Sequence, residues 1–402
     1  MFSQQSPGLS KIVSSLAPSP TMALNTKAKA IAAKGLKVYN FSVGEPDYAS
    51  PEVVVEAAIH ALRKGRTKYG PAGGGAPLRQ AIIKKLKRDN DLSYLPEQIV
   101  VGIGAKEILF HVFMAILNEG DEVIIPAPYW VSYTSQIECC KAKSVIIPMP
   151  EDSRSGPLSP ECLDKYMTPK TKAVVLTSPN NPAGYVFKEQ ELRRLGEYLK
   201  DKNVWVVADE IYEYMAFDTP HRSLGTLCPE ILDRFILVNG LSKAFAMTGW
   251  RVGYCAAPSK VAELVSNLQS HSSTCLPGFI EDAAAEALNQ GPSLMTEQIE
   301  LLKSRRALAV RELGRIPNIR VQPAEGAFYA YVDVRPALEK SGRFEANDSL
   351  GFSQYLLERY QVAMVPGEAF GTPGFLRLSY AVSETDIVDG IQRLGEGLSN
   401  HD

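Results

Sequence analysis

The sequence predicts an α/β protein: a large domain on a mostly parallel, seven-stranded sheet, joined to a smaller α+β domain. Three observations lead there. Seven short apolar runs rich in Val and Ile recur between Ile99 and Ala256, and near-continuous apolar runs mark strands buried on both faces of a parallel sheet. The stretches between them mostly carry helical periodicity, as crossover connections require. Beyond Val261 the pattern changes to two long helical stretches followed by shorter strands. With 402 residues and 45% apolar content, the chain can bury one large core and a smaller one.

Taken in order, the first forty residues read as an arm that Pro18 and Pro20 keep extended until a helix begins at about Thr26. Phe41 to Pro51, FSVGEPDYASP, is a short strand and a glycine turn; Gly44, with no side chain, permits close approach by a ligand. A helix from Pro51 to Arg63 leads to TKYGPAGGGAPLR, a loop too glycine-rich to be held by its own side chains, and so either mobile or held by a ligand or partner chain. The seven strands are expected at Ile99–Ile103, Glu122–Ile125, Ser144–Met149, Ala173–Thr177, Val204–Ala208, Phe235–Val238 and Val252–Ala256. Helices are expected over Lys260–Gln290 and Pro292–Leu313. Strands follow near Ile319, Ala327–Asp333, Val362–Val365 and Phe375–Ser379, and a helix from Glu384 closes the chain. Leu338 to Asp348 is the expected flexible insert. The boundaries drawn from this pattern are an arm with a small-domain segment at 1–45, a large domain at 46–290 and a small domain at 291–402.

A formal charge of −2 with no long run of one sign leaves no electrostatic footprint for nucleic acid or an acidic membrane surface. The longest largely apolar run, Ile108 to Leu117, is too short to span a bilayer, and MFSQQSPGLS lacks the regions of a secretory signal. A cytoplasmic location is the default expectation. The six cysteines have no metal-ligand spacing; they read as reduced core thiols, and no metal is expected.

Ligands of open α/β sheets collect beyond the carboxyl ends of the strands. There the sequence places Gly104-Ala105-Lys106, Tyr129-Trp130, Asn181, Asp209 with Tyr212, and Ser242-Lys243. Most lysines are surface charges. Lys243, however, sits in a turn between two apolar runs with Phe245, Met247 and Trp250 beside it. Desolvation lowers an amine's pKa and makes it a better nucleophile toward an aldehyde, which a Schiff-base lysine needs.

The motifs GEPDYASP, KYGPAGG, GAKE, PAPYWVSY, SPNNPAG, ADEIYEY, LSKAFAMTGWRVGY and FLRLSYA, spread from Leu16 to Leu394, resemble those of the pyridoxal-phosphate-dependent class I aminotransferases of fold type I. Within that family they are similar to the bacterial-type aspartate aminotransferases and their relatives acting on prephenate. The resemblance implies pyridoxal 5′-phosphate as cofactor and Lys243 as its Schiff-base lysine. Asp209 would face the ring nitrogen, because the pyridinium is an electron sink only while protonated. Tyr212 and Asn181 would serve the phenolic oxygen, and Trp130 would stack on the ring. The phosphate would be held by the helix start at Gly104, Ala105 and Lys106, by Ser242 and by Arg251. Tyr69 would reach it from the neighbouring subunit, which implies a homodimer with shared active sites.

By the same resemblance, Arg377 would clamp the substrate α-carboxylate, helped by Trp130, Asn181 and the Gly44 backbone. Lys106, with Thr21 near the entrance, would meet a distal carboxylate. These assignments point to aspartate and glutamate with 2-oxoglutarate and oxaloacetate. A prephenate, aromatic or neutral amino-acid aminotransferase and a fold type I lyase are the alternatives. Gly70 stands where prephenate-using relatives carry threonine, Ala183 replaces the threonine of the NPTG turn, and Cys275 and Asp282 replace Ser and Gln types.

Overall fold

A computed structural model describes residues 8–150, 158–321 and 323–399; the first seven residues of the expected arm lie outside the described residues. The central sheet has seven strands: β1 (Ile99–Ile103), β2 (Glu122–Pro126), β3 (Lys143–Ile147), β4 (Thr171–Thr177), β5 (Trp205–Asp209), β6 (Phe235–Gly240) and β7 (Val252–Ala256). Their spatial order is β1-β7-β6-β5-β4-β2-β3. The β6–β5, β5–β4, β4–β2 and β2–β3 pairs are parallel, and β7 runs antiparallel to both its neighbours. Alternate residues serve opposite cores. Phe235 and Leu237 join one apolar cluster while Ile236 and Val238 join the other, and Val206 and Val207 divide the same way. Burial on both faces is why these strands read as unbroken apolar runs.

A second, antiparallel sheet comprises β8 (Arg320–Val321), β9 (Tyr329–Asp333), β10 (Val365–Pro366) and β11 (Phe375–Ser379) in the order β10-β11-β9-β8. Its apolar cluster includes Leu302, Phe328, Leu376 and Ile391, together with Tyr39 and Phe41 from early in the chain. The short stretch Tyr39–Asn40 pairs in parallel with Val362–Ala363, so the early chain is tied to the late one.

Several boundaries differ from expectation. The first long helix starts at Pro20, not near Thr26, because proline's missing N–H and fixed φ suit the opening turn of a helix. The stretch 260–290 is two helices, Ser259–Ser270 and Gly278–Gln290; Thr274 takes a φ of +70° between them and Pro277 caps the second. Pro292–Met295 is a tight turn preceding the helix Thr296–Leu313. Much of the expected insert is ordered by helix ends. Leu338 lies in the helix Arg335–Ser341, and the Asp348 carboxylate accepts the Gly351 N–H at 2.8 Å to cap the helix Ser349–Tyr360.

The glycine-rich loop after Tyr69 is held within its own chain. Glu281, 3% exposed, accepts the Gly75 N–H at 2.9 Å, and Gln269 donates to the carbonyls of Ala72 (2.6 Å) and Val101 (2.8 Å). The Cys275 thiol accepts the Gly70 N–H, and Asp282 forms a two-pronged pair with Arg66. A Cβ at Gly75 would lie 2.6 Å from the Glu281 carboxylate. The glycines therefore let the loop lie flat on polar side chains of distant helices. Of the cysteines, only Cys228 and Cys255 are buried; all six are free thiols and the other four are half-buried, so the core assignment holds for two. Among the described residues, no helix is long and apolar enough to cross a membrane.

Candidate active site

Strands β2 and β4–β6 run parallel, so their carboxyl ends share one edge of the sheet, and a cleft of about 200 Å³, open at its mouth, lies there. Gly44, Ala105, Lys106, Trp130, Asn181, Asp209, Tyr212, Ser242, Lys243, Arg251 and Arg377 all line it, as does Thr21. Gly104 sits immediately behind, packed on the Arg251 guanidinium. Tyr69 is the exception: it is 89% exposed and lies outside the cleft of its own chain.

Lys243 lies in the eleven-residue turn from β6 to β7, and its Nζ donates to the Gly44 carbonyl at 2.6 Å. Burial, and after it the charge of Arg377, lowers its pKa to about 8, so a usable fraction of the amine is unprotonated near neutral pH. Asp209 ends β5, 5% exposed. Burial raises its pKa to about 6, against the opposing pull of Tyr133, whose hydroxyl donates to Oδ2 at 2.6 Å, and of the Ile211 N–H on Oδ1 at 3.2 Å. Tyr133 and its partner Thr177, 2.9 Å away, escaped the sequence reading, although both line the cleft. Tyr133 follows Trp130 by three residues at the start of a helix and contacts its ring edge-on at 5.3 Å; that spacing was the available signal.

Ala105 and Lys106 open the helix Ala105–Ile116, so their N–H groups have no intrahelical acceptor and face the cleft with the positive end of the helix dipole. Gly104 caps this helix at φ +84° and ψ 156°, a backbone region essentially restricted to glycine. Arg251 itself holds a φ of +60°, rare for a residue with a side chain, and is anchored by donating to the Thr248 carbonyl at 3.0 Å. Ser242, 8% exposed, lines the cleft beside them. Lys106 remains open to solvent at the mouth. Its amine lies 5.1 Å from the Trp130 ring centroid, and its pKa is lowered first by the surrounding protein and then by Arg251.

Arg377, on β11, is 3% exposed; it donates to Asn181 Oδ1 at 3.0 Å and to the Ser42 carbonyl at 2.7 Å. Among the described residues its Nε is buried without a partner, and its guanidinium lies 4.3 Å from the Tyr329 ring centroid and 5.2 Å from that of Phe370. A planar fork fixed on two sides with an unmet N–H is preorganised for a carboxylate. Tyr329, also unforeseen, joins this end to the other: its hydroxyl is 2.8 Å from that of Tyr212, and a Cβ on Gly44 would come within 2.6 Å of it. The close approach at Gly44 is thus by Tyr329. No sequence signal links β9 to residues more than a hundred positions earlier.

A desolvated amine, a buried carboxylate, a helix-start anion cradle and an arginine fork around one cleft define an enzyme of amine–carbonyl chemistry that works with an anionic cofactor. The chain belongs to the aminotransferase class I and II family, whose model matches residues 36–394, and it is a pyridoxal-phosphate-dependent transaminase. It is 43% identical to a probable aspartate/prephenate aminotransferase of Aquifex aeolicus over 97% of this chain and 98% of that one. To an aspartate aminotransferase of Bacillus subtilis it is 39% identical, over 98% and 99%. The fold matches the crystal structure of an aspartate aminotransferase from Rhizobium meliloti with a TM-score of 0.92 at 36% identity, covering 98% of this chain and 99% of that one. It also matches a Thermus thermophilus aspartate aminotransferase with maleate, at a TM-score of 0.91 and 36% identity over 98% and 100%.

Proposed function

We propose that this chain transfers amino groups between aspartate or glutamate and their 2-oxo acids. The observation that carries the reading is a pair of cations lining one cleft, the buried fork of Arg377 and the amine of Lys106 at the mouth, which suits a substrate bearing two carboxylates. That a Thermus relative was solved with maleate, a four-carbon dicarboxylate, supports it.

The cleft residues suit pyridoxal phosphate in charge and position. Ser242, Arg251 and the Ala105 and Lys106 amides would hold the phosphate, with Gly104 allowing the backbone's approach. Asp209 would keep the ring nitrogen's proton, Tyr212 and Asn181 would face the phenolic oxygen, and Trp130 would cover the ring. When bound, the cofactor supplies an electrophilic carbonyl carbon and a cationic ring that draws electrons from the substrate Cα. Lys243 would first anchor it covalently and then, released by the incoming amino acid, take the Cα proton. Arg377 would hold the α-carboxylate, with Trp130, Asn181 and the Gly44 backbone beside it, and its burial keeps water from competing.

The division into an arm at 1–45, a large domain at 46–290 and a small one at 291–402 belongs to the same proposal. It is supported by an apolar cluster running from Val54 to Met295, just past the boundary, and another that gathers Leu302 to Leu398 with Tyr39 and Phe41 and meets the large domain at Ile211, Tyr212 and Met215. Lys243 and Arg377 fall on opposite sides of that division, so substrate would bridge the two domains and favour closure. We also propose a cytoplasmic enzyme of amino-acid biosynthesis acting as a homodimer with shared sites. The strong exposure of Tyr69, beside a loop firmly held by Glu281 and Gln269, supports its reaching a partner's cleft.

The test is a single-turnover experiment: cofactor-loaded enzyme mixed in turn with aspartate, glutamate, alanine and tyrosine, with conversion of the cofactor to its aminated form followed by absorbance. Fast conversion by aspartate and glutamate alone is expected. A preference for an aromatic or neutral donor would overturn the substrate assignment, and release of ammonia in place of a new amino acid would indicate a lyase.

A further inference from the structure

Asp209 receives a hydrogen bond on each oxygen from within the protein, and the two donors differ in kind. The Ile211 N–H reaches Oδ1 at 3.2 Å from the next turn of the chain, a local contact. The Tyr133 hydroxyl reaches Oδ2 at 2.6 Å from the helix Ser132–Cys139, and Thr177, at the end of β4 and in register with Asp209, stands 2.9 Å behind it. Tyr133 has one proton, and Asp209 receives it. The Thr177 hydroxyl must therefore donate to the tyrosine oxygen, giving a chain directed from Thr177 through Tyr133 to Asp209. Tyr133 is fully buried, Thr177 is 7% exposed, and no water needs to join them.

We propose that Tyr133, backed by Thr177, is a positioning residue that holds Asp209 ionised and aimed into the cleft, and so keeps the proton on the cofactor's ring nitrogen. This rests on the reading of Asp209 as the partner of that nitrogen. A carboxylate and a ring nitrogen share one proton; whatever stabilises the ionised carboxylate moves the proton toward nitrogen, and a hydroxyl donor does so. Burial and the neighbouring Glu210 push the proton the other way, while Lys243 and the two hydrogen-bond donors oppose them. Tyr212, which also faces Asp209, stays neutral, its pKa raised well above the ordinary value by burial. Tyr133 also stays protonated, because burial and the adjacent Asp209 charge raise its pKa well above the ordinary tyrosine range. It donates without transferring. Removing the hydroxyl leaves Asp209 with one weak donor in a desolvated pocket, and the shared proton moves onto the carboxylate.

The experiment uses Tyr133→Phe, which keeps the ring and its edge contact with Trp130, and Thr177→Val, which removes only the second donor. In the cofactor-free protein, the Asp209 carboxyl is titrated by carbon NMR: the midpoint, near 6 in the wild type, is expected to rise clearly in Y133F and less in T177V. In protein loaded with ring-¹⁵N pyridoxal phosphate, the nitrogen shift is expected to report a protonated ring in the wild type and loss of the proton in Y133F. A fall in kcat of about 10- to 100-fold with KM unchanged should accompany it, the weight of one hydrogen bond to a charged group. An unprotonated ring in the wild type would sink the Asp209 reading itself. A protonated wild-type ring with Y133F unchanged in midpoint, nitrogen shift and kcat would overturn the role of Tyr133 alone.

Discussion

Replacing Lys106 by Ala or Gln separates the cation proposed for the distal carboxylate from the rest of the cleft. The side chain projects from the first turn of its helix, and the amide proposed to hold the phosphate is backbone, so both variants keep it. Its amine touches Trp130 and otherwise faces the cleft and solvent. A fully exposed ion pair contributes under about 1 kcal/mol, and a sheltered hydrogen bond to a charged group about 1.5–3 kcal/mol. Lys106 is exposed at the mouth, yet shielded enough to lower its pKa. A loss of about 1–2 kcal/mol follows, or about 5- to 30-fold in kcat/KM for aspartate. Alanine has no distal carboxylate, and removing a nearby positive charge should leave its kcat/KM within about 2-fold. Initial rates with both donors, for wild type, K106A and K106Q, measure the ratio. Equal losses for the two donors would mean that Lys106 acts on the cofactor or the fold, and no loss for aspartate would refute its role in recognition.

Lys243→Met should abolish turnover and the absorbance band of lysine-bound cofactor, while making the cofactor-free protein more stable. The folded lysine has a pKa near 8 against an ordinary 10.5. Below pH 8 the chain therefore buries a charge at a cost of up to about 3 kcal/mol. Between pH 8 and 10.5 the unfolded chain binds more protons, so wild-type stability rises with pH and the advantage of K243M should vanish by about pH 11; denaturant melts at pH 7 and 11 check it, and an advantage independent of pH would contradict it. Gly104→Ala should weaken cofactor binding at least about 10-fold. The backbone conformation costs a side chain about 1–3 kcal/mol, and the new methyl would displace the Arg251 guanidinium; equilibrium titration with pyridoxal phosphate is the readout, and unchanged affinity would argue against the cradle.

The fold class was legible because a parallel sheet buried on both faces leaves a local record: seven apolar runs, each readable from its own residues. Helix ends were less legible. Pro20 and Pro292 each open a helical element, and whether a proline starts a helix or extends the chain depends on what packs beneath it. The chemical residues at strand ends could be listed from the sequence for the same reason as the strands. Their convergence on one cleft follows once the sheet is parallel, since its carboxyl ends share an edge.

Features that depend on neighbours along the chain were therefore readable in advance: the strands, the lysine turn with its apolar surroundings, the helix start at Ala105 and the motifs that resemble a family. Tertiary structure alone decided the partners of those groups. Tyr133 and Thr177 behind Asp209, Tyr329 between Tyr212 and Arg377, and Glu281 under the glycine-rich loop meet their partners across 44 to 206 residues. A hydrogen bond needs its two atoms within about 3 Å, and no periodicity or local spacing records which distant segment folding will bring that close.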